Sequence, residues 1–362
     1  MPFERMAIED WFDEYQFKAE FDIGESGVKW ITPGDLGLDL SNIALRYGHH
    51  RGSPELREMI ASSYEGLNSE HVAVTTGSSE AIFAIIAGLV GPDDEMIIEH
   101  PNYPSHYTVA ASLGKKSKYF HLQFDKEFSP DLDLLESMIT PKTKLVCLTH
   151  PNNPTGSVIK AEELRNVIRI VEANDAYLLM DETYRDLSYA DPPPPAASMS
   201  ARAISVTTMS KAYCVPGIRI GWAAVADPSI INLIRAIREQ ITICNSAIGE
   251  SIALVILGRK EELLASTRRH IMDNLEMLSS WMEGREELEW VSPLAGVVAF
   301  PRLKYKASAD GLCQRLIEAY RTFTVPGSVF GMAQHFRIGY GGSIQELEGG
   351  LKNLAAALEE MN

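Results

Sequence analysis

Five short apolar runs recur along the first two thirds of this chain, and each stops at a polar or glycine-bearing signature. They are HVAVTT (71–76), EMIIEH (95–100), KLVCLTH (144–150), AYLLMD (176–181) and AISVTTM (203–209). Helical patterns stand between them: one opens at Ser53-Pro54, with proline in the first turn, one follows Gly77, and one runs over 162–173. Strands apolar on both faces and separated by helices pair in a largely parallel sheet. That constrains the chain to an α/β architecture whose ligand lies at the carboxyl ends of the strands. After residue 240 the texture changes. A helical stretch over roughly 247–283 leads to short strands in GVVAFPRL, FTVPG and HFRIGY and a final helix over 343–361, which predicts an α+β unit. Near the start, Phe3, Met6, Ile8, Trp11, Phe12 and Tyr15 fall at helical spacing, and 22–41 reads as an extended loop. The tetraproline 192–195 reads as a stiff, exposed loop.

The signatures that end the strands carry chemistry. In TTMSKAYCVPGIRIGW (207–222), Lys211 stands between two hydroxyl residues, Thr208 and Ser210, and a corner formed by Pro216, Gly217 and Arg219. Hydroxyls, backbone amides and an arginine suit a phosphate, and a lysine beside a phosphate suits a phosphorylated aldehyde held as a Schiff base. Gly77-Ser78-Ser79 lies where a strand turns into a helix, whose free amides attract phosphate; simple capping by Ser78 or Ser79 is the competing reading. Tyr103, between Pro101 and Pro104, is placed to stack on a flat ring or to pack on its own loop. Asn153 in NNPTG can donate to a phenolic oxygen or merely turn the chain, and its bond to Pro154 is a candidate for cis. Asp181 ends a very apolar strand and needs a partner there, either a protonated ring nitrogen or a salt bridge. Tyr184, three residues on, reaches the same ligand. Arg219 can pair with the phosphate and Arg337, in HFRIGY, can fork onto a carboxylate; for either alone a structural ion pair is the alternative.

The order of these signatures, with 28 residues from Asn153 to Asp181 and eight from Lys211 to Arg219, resembles the pyridoxal-phosphate enzymes of aminotransferase class I/II, fold type I, from about Tyr47 to Arg337. The resemblance implies a large cofactor domain over 42–244 with a mostly parallel seven-stranded sheet. It implies a smaller α+β domain from 1–41 and 245–362. It implies that Lys211 carries pyridoxal 5'-phosphate and moves protons at the substrate Cα, with Asp181 and Tyr184 as further catalytic groups. Gly77, Ser78, Ser79, Thr208, Ser210 and Arg219 are then the phosphate site. Asn153 and Tyr184 bind the phenolic oxygen, Tyr103 stacks on the ring, and Arg337 and Asn153 meet the substrate. Tyr47, in RYGHHRG, corresponds to a tyrosine that reaches the neighbouring subunit's phosphate, which implies a homodimer with shared sites. Cys214 stands where the family often has glycine, so an unusual local backbone is expected.

The N-terminal EDWFDEYQFKAEFDIGESGVKW, with TTGSSEAIF and AGVVAFPR, is similar to a narrower branch of that family. Its members eliminate water from a hydroxylated L-arginine and close it to a cyclic guanidino amino acid of the capreomycidine or enduracididine type. Residues 1–25 hold eight acids against two bases, and acids near the cofactor suit a guanidinium. Glu9 and Asp10, beside Trp11, are the expected contacts; a solvated helix face accounts for the rest. Ordinary amino transfer between an L-amino acid and a 2-oxo acid needs the same lysine and stays open. A cofactor-sensing regulator would need a basic DNA-binding domain, and a net charge of −16 opposes non-specific binding of nucleic acid or an anionic membrane. Cys147, Cys214, Cys244 and Cys313 form no C-x-x-C pair, so neither zinc nor a disulfide framework is expected. The N-terminus lacks the basic start and apolar run of a signal peptide, and no stretch approaches membrane-spanning length, so a cytoplasmic setting is expected.

Overall fold

The computed structural model describes residues 3–304 and 308–361. Helix α1 (Ala7–Tyr15) and the two-residue strand β1 (Phe21–Asp22) come first. Helix α2 (Pro54–Ala61) starts at Pro54, and Ser53 Oγ accepts from the Leu56 amide at 3.3 Å, which satisfies one of the donors a helix start leaves free. Then follow β2 (Val72–Thr75), α3 (Gly77–Leu89), β3 (Glu95–His100), α4 (Ser105–Ser112), β4 (Lys116–His121), β5 (Thr143–Thr149), β6 (Tyr177–Asp181), β7 (Ala203–Thr208) and β8 (Gly221–Ala224).

Strands β2 to β8 form one seven-stranded sheet in the order β2-β8-β7-β6-β5-β3-β4. Neighbours are parallel except that β8 runs against both β7 and β2. Alternate residues explain why the strands read as continuous apolar runs. Leu178 and Met180 of β6 pack into one core cluster, with Val146 and Leu148 of β5, while Tyr177 and Leu179 pack into the other, with Leu145 and Cys147. Register sets Asp181 beside Thr149 on one side and Val206 on the other, at the carboxyl edge.

Two strands of this sheet escape the sequence patterns. β4 is an edge strand whose residues, KSKYFH, are mostly exposed or half-buried, so no apolar run marks it. β8 is four small or aromatic residues, Gly221–Ala224, that begin within the last two residues of the lysine signature. The stretch over 247–283 also divides. One helix covers Ala247–Gly258 and the next Lys260–Glu283; between them Arg259 leaves helical dihedrals (φ −115°, ψ 20°) and turns its guanidinium onto Glu262 at 2.8 Å. The tetraproline is less exposed than its composition suggests, since Pro195 is buried.

The N-terminal segment is stitched to the end of the chain. β1 pairs in parallel with Thr322–Phe323, and the Gly339 amide donates to the Ile23 carbonyl at 2.9 Å. The strand Phe336–Gly339 lies so close to this segment that a Cβ on Gly339 would fall 1.8 Å from the Glu25 carbonyl oxygen. This contact sets Glu25 and Arg337 side by side. Gly339→Ala must push the two segments apart and should cost on the order of 1–3 kcal/mol in urea unfolding, as overpacking does; an unchanged midpoint would contradict the contact.

Candidate active site

A cleft of about 260 Å³ opens at the carboxyl edge of the sheet. Its walls bring together Ser78, Ser79, Tyr103, Asn153, Asp181, Tyr184, Thr208, Ser210, Lys211, Arg219 and Arg337, which lie up to 259 residues apart in sequence (337 − 78). Ser78 and Ser79 lie in the first turn of α3, Asp181 and Thr208 end β6 and β7, and Arg337 lies in the strand Phe336–Gly339; the others come from loops that follow strands or, for Arg219, from the loop that leads into the antiparallel β8.

At one end, α3 begins. Gly77 has φ +72°, and a Cβ there would lie 2.7 Å from the Arg219 guanidinium. A Cβ on Gly221 would lie 2.6 Å from the Ser78 nitrogen. Neither Ser78 nor Ser79 caps the helix. Glu80 instead takes the Thr76 amide at 2.6 Å, and both serines face the cleft. Thr208 and Ser210 hydroxyls lie 2.9 Å apart, and Arg219 NH1 donates to Ser210 Oγ at 3.3 Å. Helix-start amides, four hydroxyls and a guanidinium fit a phosphate dianion. Cys214 has φ +59°, the left-handed conformation a glycine adopts without strain, so the backbone keeps a glycine-type shape here although the residue is a cysteine.

At the floor, Asp181 accepts from the Thr183 amide at 3.0 Å through Oδ1. Its Oδ2 faces His106 Nε2 at 3.6 Å, beyond hydrogen-bond range, so one oxygen of a buried carboxylate is left for a further donor. His106 is fully buried with both ring nitrogens unpartnered; sequence reasoning missed it, and its position three residues after Tyr103, on the first turn of α4, is the signal that could have found it. The Asn153–Pro154 bond is cis. Asn153 Oδ1 accepts from Arg337 NH1 at 3.2 Å, which leaves its amide to donate elsewhere. Glu99, fully buried behind this loop, accepts from the Thr149 amide at 2.8 Å and Asn152 Nδ2 at 3.0 Å and lies 2.7 Å from His150 Nε2.

The remaining wall is the N-terminal segment. Ile8, Glu9 and Phe12 of α1 line the cleft with Glu25 and Ser26. Tyr103 donates its hydroxyl to Glu9 Oε1 at 3.2 Å; burial, then the Glu9 charge, push that phenol well above its usual range. Asp10 does not enter. One residue on along a helix is about 100° round, so Asp10 turns outward, 51% exposed, and pairs with Arg5 at 2.8 Å. Glu25 takes the place expected of it. Glu25 Oε1 lies 3.1 Å from Lys211 Nζ, and Nζ also donates to Ser26 Oγ at 3.0 Å. Tyr184 donates to the Ser26 carbonyl at 2.7 Å and fixes that turn. No local pattern singles out Glu25 among the eight N-terminal acids; only its pairing with the Phe336–Gly339 strand does. Arg337, 1% exposed, donates to the Gly24 carbonyl at 2.7 Å, and its Nε has no partner. Tyr47 does not reach this cleft. It is 81% exposed, beside Leu45 on the same loop.

Fold and cleft together define a class. The aminotransferase class I and II profile matches residues 36–354, and the chain belongs to that family, whose members depend on pyridoxal phosphate. Capreomycidine synthase of Streptomyces vinaceus is 33% identical over 98% of this chain and 93% of its own length. An aspartate aminotransferase of Thermotoga maritima is 25% identical over 92% of this chain and 86% of its own. Among solved structures, a pyridoxal-phosphate-dependent aminotransferase from Streptococcus suis superimposes with a TM-score of 0.95 at 27% identity, covering 100% of this chain and 99% of that one. The pyridoxal-phosphate-dependent cyclase OrfR does so with 0.93 at 25% identity, over the same shares. Among the described residues no helix is long and apolar enough to cross a membrane.

The Lys211–Glu25 pair has a pH signature. Burial opposes the Glu25 charge, but the Lys211 and Arg337 fields outweigh it and hold the carboxyl at about 2, below its ordinary 4.5. Burial likewise opposes the Lys211 ammonium, and Glu25 outweighs it, so that pKa is raised above 10.5. A depressed acid contributes stability that is present above its unfolded pKa and lost as pH falls toward the folded one; a raised base contributes stability that is lost as pH climbs past its unfolded value. In cofactor-free protein, the unfolding free-energy difference between wild type and Glu25→Gln should therefore be flat from about pH 5 to 10. It should shrink on either side. A difference that keeps growing below pH 4 would contradict the pairing.

Proposed function

We propose that this protein closes the side chain of a hydroxylated L-arginine into a cyclic guanidino amino acid with loss of one water. The observation that carries the reading is the acidic N-terminal wall: Glu9 and Glu25 face the same space as Lys211 and Arg337. The similarity to capreomycidine synthase and to the cyclase OrfR supports it. The aspartate aminotransferases among the relatives support amino transfer as a second reading. Against it, a substrate with a side-chain carboxylate would meet two like charges here. Besides Lys211, the cleft-lining cations among the described residues are Arg219, at the hydroxyl end, and Arg337.

In this reading the Gly77–Ser79 helix start, Thr208, Ser210 and Arg219 hold the cofactor phosphate. Asp181 would meet its ring nitrogen, Asn153 and Tyr184 its phenolic oxygen, and Tyr103 would pack on its ring. When bound, pyridoxal phosphate supplies an electron-withdrawing ring that stabilises charge at the substrate Cα. Lys211 Nζ takes and returns a proton at that carbon. Arg337 fixes the α-carboxylate, to which its unpartnered Nε is one available donor. Glu9 draws the guanidinium back over the substrate's own carbon chain, and Ile8 and Phe12 exclude water. The hydroxyl leaves, a guanidine nitrogen forms the new C–N bond and gives up a proton, and the two make the water; no oxidant is consumed. A tethered nucleophile so held can reach effective molarities of ~10⁵ M or more.

Family members are generally dimeric. Tyr47, Leu45, Ile241 and Ile243 are exposed in this chain, and the 43–52 loop is tied to the 238–245 turn by His50 and Glu239 at 2.9 Å. We propose that this face meets a second copy, with Tyr47 reaching the partner's phosphate site.

Three outcomes test these readings. Mass spectrometry should find a cyclic product from β- or γ-hydroxy-L-arginine with no 2-oxo acid present. Turnover of common amino acids with 2-oxoglutarate and no cyclic product would give the second reading instead. Borohydride should fix the cofactor on Lys211 in wild type and nowhere in Lys211→Ala; a cofactor retained on another lysine would overturn the assignment. Tyr47→Phe should weaken cofactor retention by on the order of 1–3 kcal/mol, the worth of a hydrogen bond to a charged acceptor, in a protein that sediments as a dimer; a fully active monomer would exclude the shared site.

A further inference from the structure

Glu25 holds two positions in this cleft at once. Its Oε1 is 3.1 Å from Lys211 Nζ, and its Oε2 accepts from Gln16 Nε2 at 3.3 Å. Gln16 also donates to Asp22 Oδ2 at 2.9 Å, so the carboxylate is tethered from behind. Its side chain is 36% exposed, and the exposed part gives onto the cleft. Lys211, its partner, is the residue whose nitrogen must be uncharged to join an aldehyde. Once that nitrogen has given up its proton, Glu25 loses its nearest cation. Arg337, the other cation whose field it feels, is bound to the Gly24 carbonyl and Asn153.

We propose that Glu25 is a counter-ion exchanged between two partners: the Lys211 ammonium in the cofactor-free protein, and the cationic side chain of the substrate once Lys211 is no longer an ammonium. The substrate half rests on the guanidino reading above. The geometry also says how the side chain must lie. Glu25 stands beside the lysine nitrogen, so a guanidinium can reach it only by folding back toward its own Cα, which is the conformation that ring closure requires. Glu9, on the Tyr103 side, then holds the other flank. The charged and titratable groups around the Lys211 amine are Glu25, Tyr184 and Arg337, with Glu9, Tyr103, Asp181 and Arg219 elsewhere on the cleft wall. Of these, Glu25 alone is hydrogen-bonded to it.

The exchange has two readouts. The first uses cofactor-free protein and follows pyridoxal phosphate capture by absorbance as a function of pH. Releasing Lys211 from Glu25 lowers its proton affinity, so Glu25→Gln should capture the aldehyde at least about tenfold faster at pH 7, equivalent to one pH unit of displacement. Superimposable profiles overturn the first half. The second uses holoenzyme and compares equilibrium binding of L-arginine with L-citrulline, its neutral isostere. Wild type should prefer arginine by about tenfold or more, in the range for a hydrogen bond to a charged group, and Glu25→Gln should lose most of that preference. A preference that survives in Glu25→Gln overturns the substrate half while the guanidino reading stands. No preference in wild type overturns the guanidino reading itself, and the substrate half with it. Glu25→Asp keeps the charge but withdraws it from Lys211, and should fall between the two in both measurements. If Glu25→Gln does not fold, Glu25→Asp indistinguishable from wild type in both overturns the proposal.

Discussion

The site depends on one backbone contact made outside the seven-stranded sheet. The chain from Ile23 to Gly27 runs against the strand Phe336–Gly339 with no room for a side chain at Gly339. That contact carries a carboxylate from the start of the chain and a guanidinium from its end to the lysine in the middle. Arg337 is held by the Gly24 carbonyl, Tyr184 by the Ser26 carbonyl, and Lys211 by the Glu25 and Ser26 side chains. Three adjacent residues, Gly24 to Ser26, thus tie down an arginine, a tyrosine and the lysine. The sheet supplies a second, older kind of constraint: parallel strands deliver their polar ends to one edge, which is why Asp181, Asn153 and Lys211 meet although 58 residues separate the first and last of them (211 − 153).

The cofactor end of the cleft was legible in the sequence because its residues are local signatures. Gly77 before two serines, Asn153 before a proline and Lys211 between hydroxyls each sit at a strand terminus, where period and punctuation reveal them. The substrate end was only half legible. Helical phase separates Glu9, which enters, from Asp10, which does not, and phase cannot be fixed when both neighbours are acidic. Glu25 is placed by tertiary contact alone, whereas His106 has a local cue in its place three residues after Tyr103, on the first turn of α4. Among strands, β4 was hidden by its edge position, where lysine and histidine are compatible with pairing on one side only. The break at Arg259 was hidden because Gly258 sits inside an otherwise continuous helical pattern.

Charge is divided between the two ends of this cleft. Its hydroxyl end, with Arg219, is positive and suits a phosphate; its N-terminal wall is negative and carries Glu9 and Glu25. A carboxylate held at about 2 in the absence of substrate is a strong standing charge, and in a partly desolvated cleft such a charge is costly unless a cation meets it. Lys211 meets it here. The proposed chemistry requires the lysine to be uncharged when it takes a proton, and a guanidinium is the cation whose planar donors fit a carboxylate best.

The most direct measurement is a crystal structure of the holoenzyme with L-arginine bound. The account predicts the α-carboxylate on Arg337 and the side chain folded back, with its guanidinium within hydrogen-bond distance, about 3 Å, of Glu25 or Glu9. An extended side chain whose guanidinium lies in solvent, with Glu9 and Glu25 uninvolved, would contradict it.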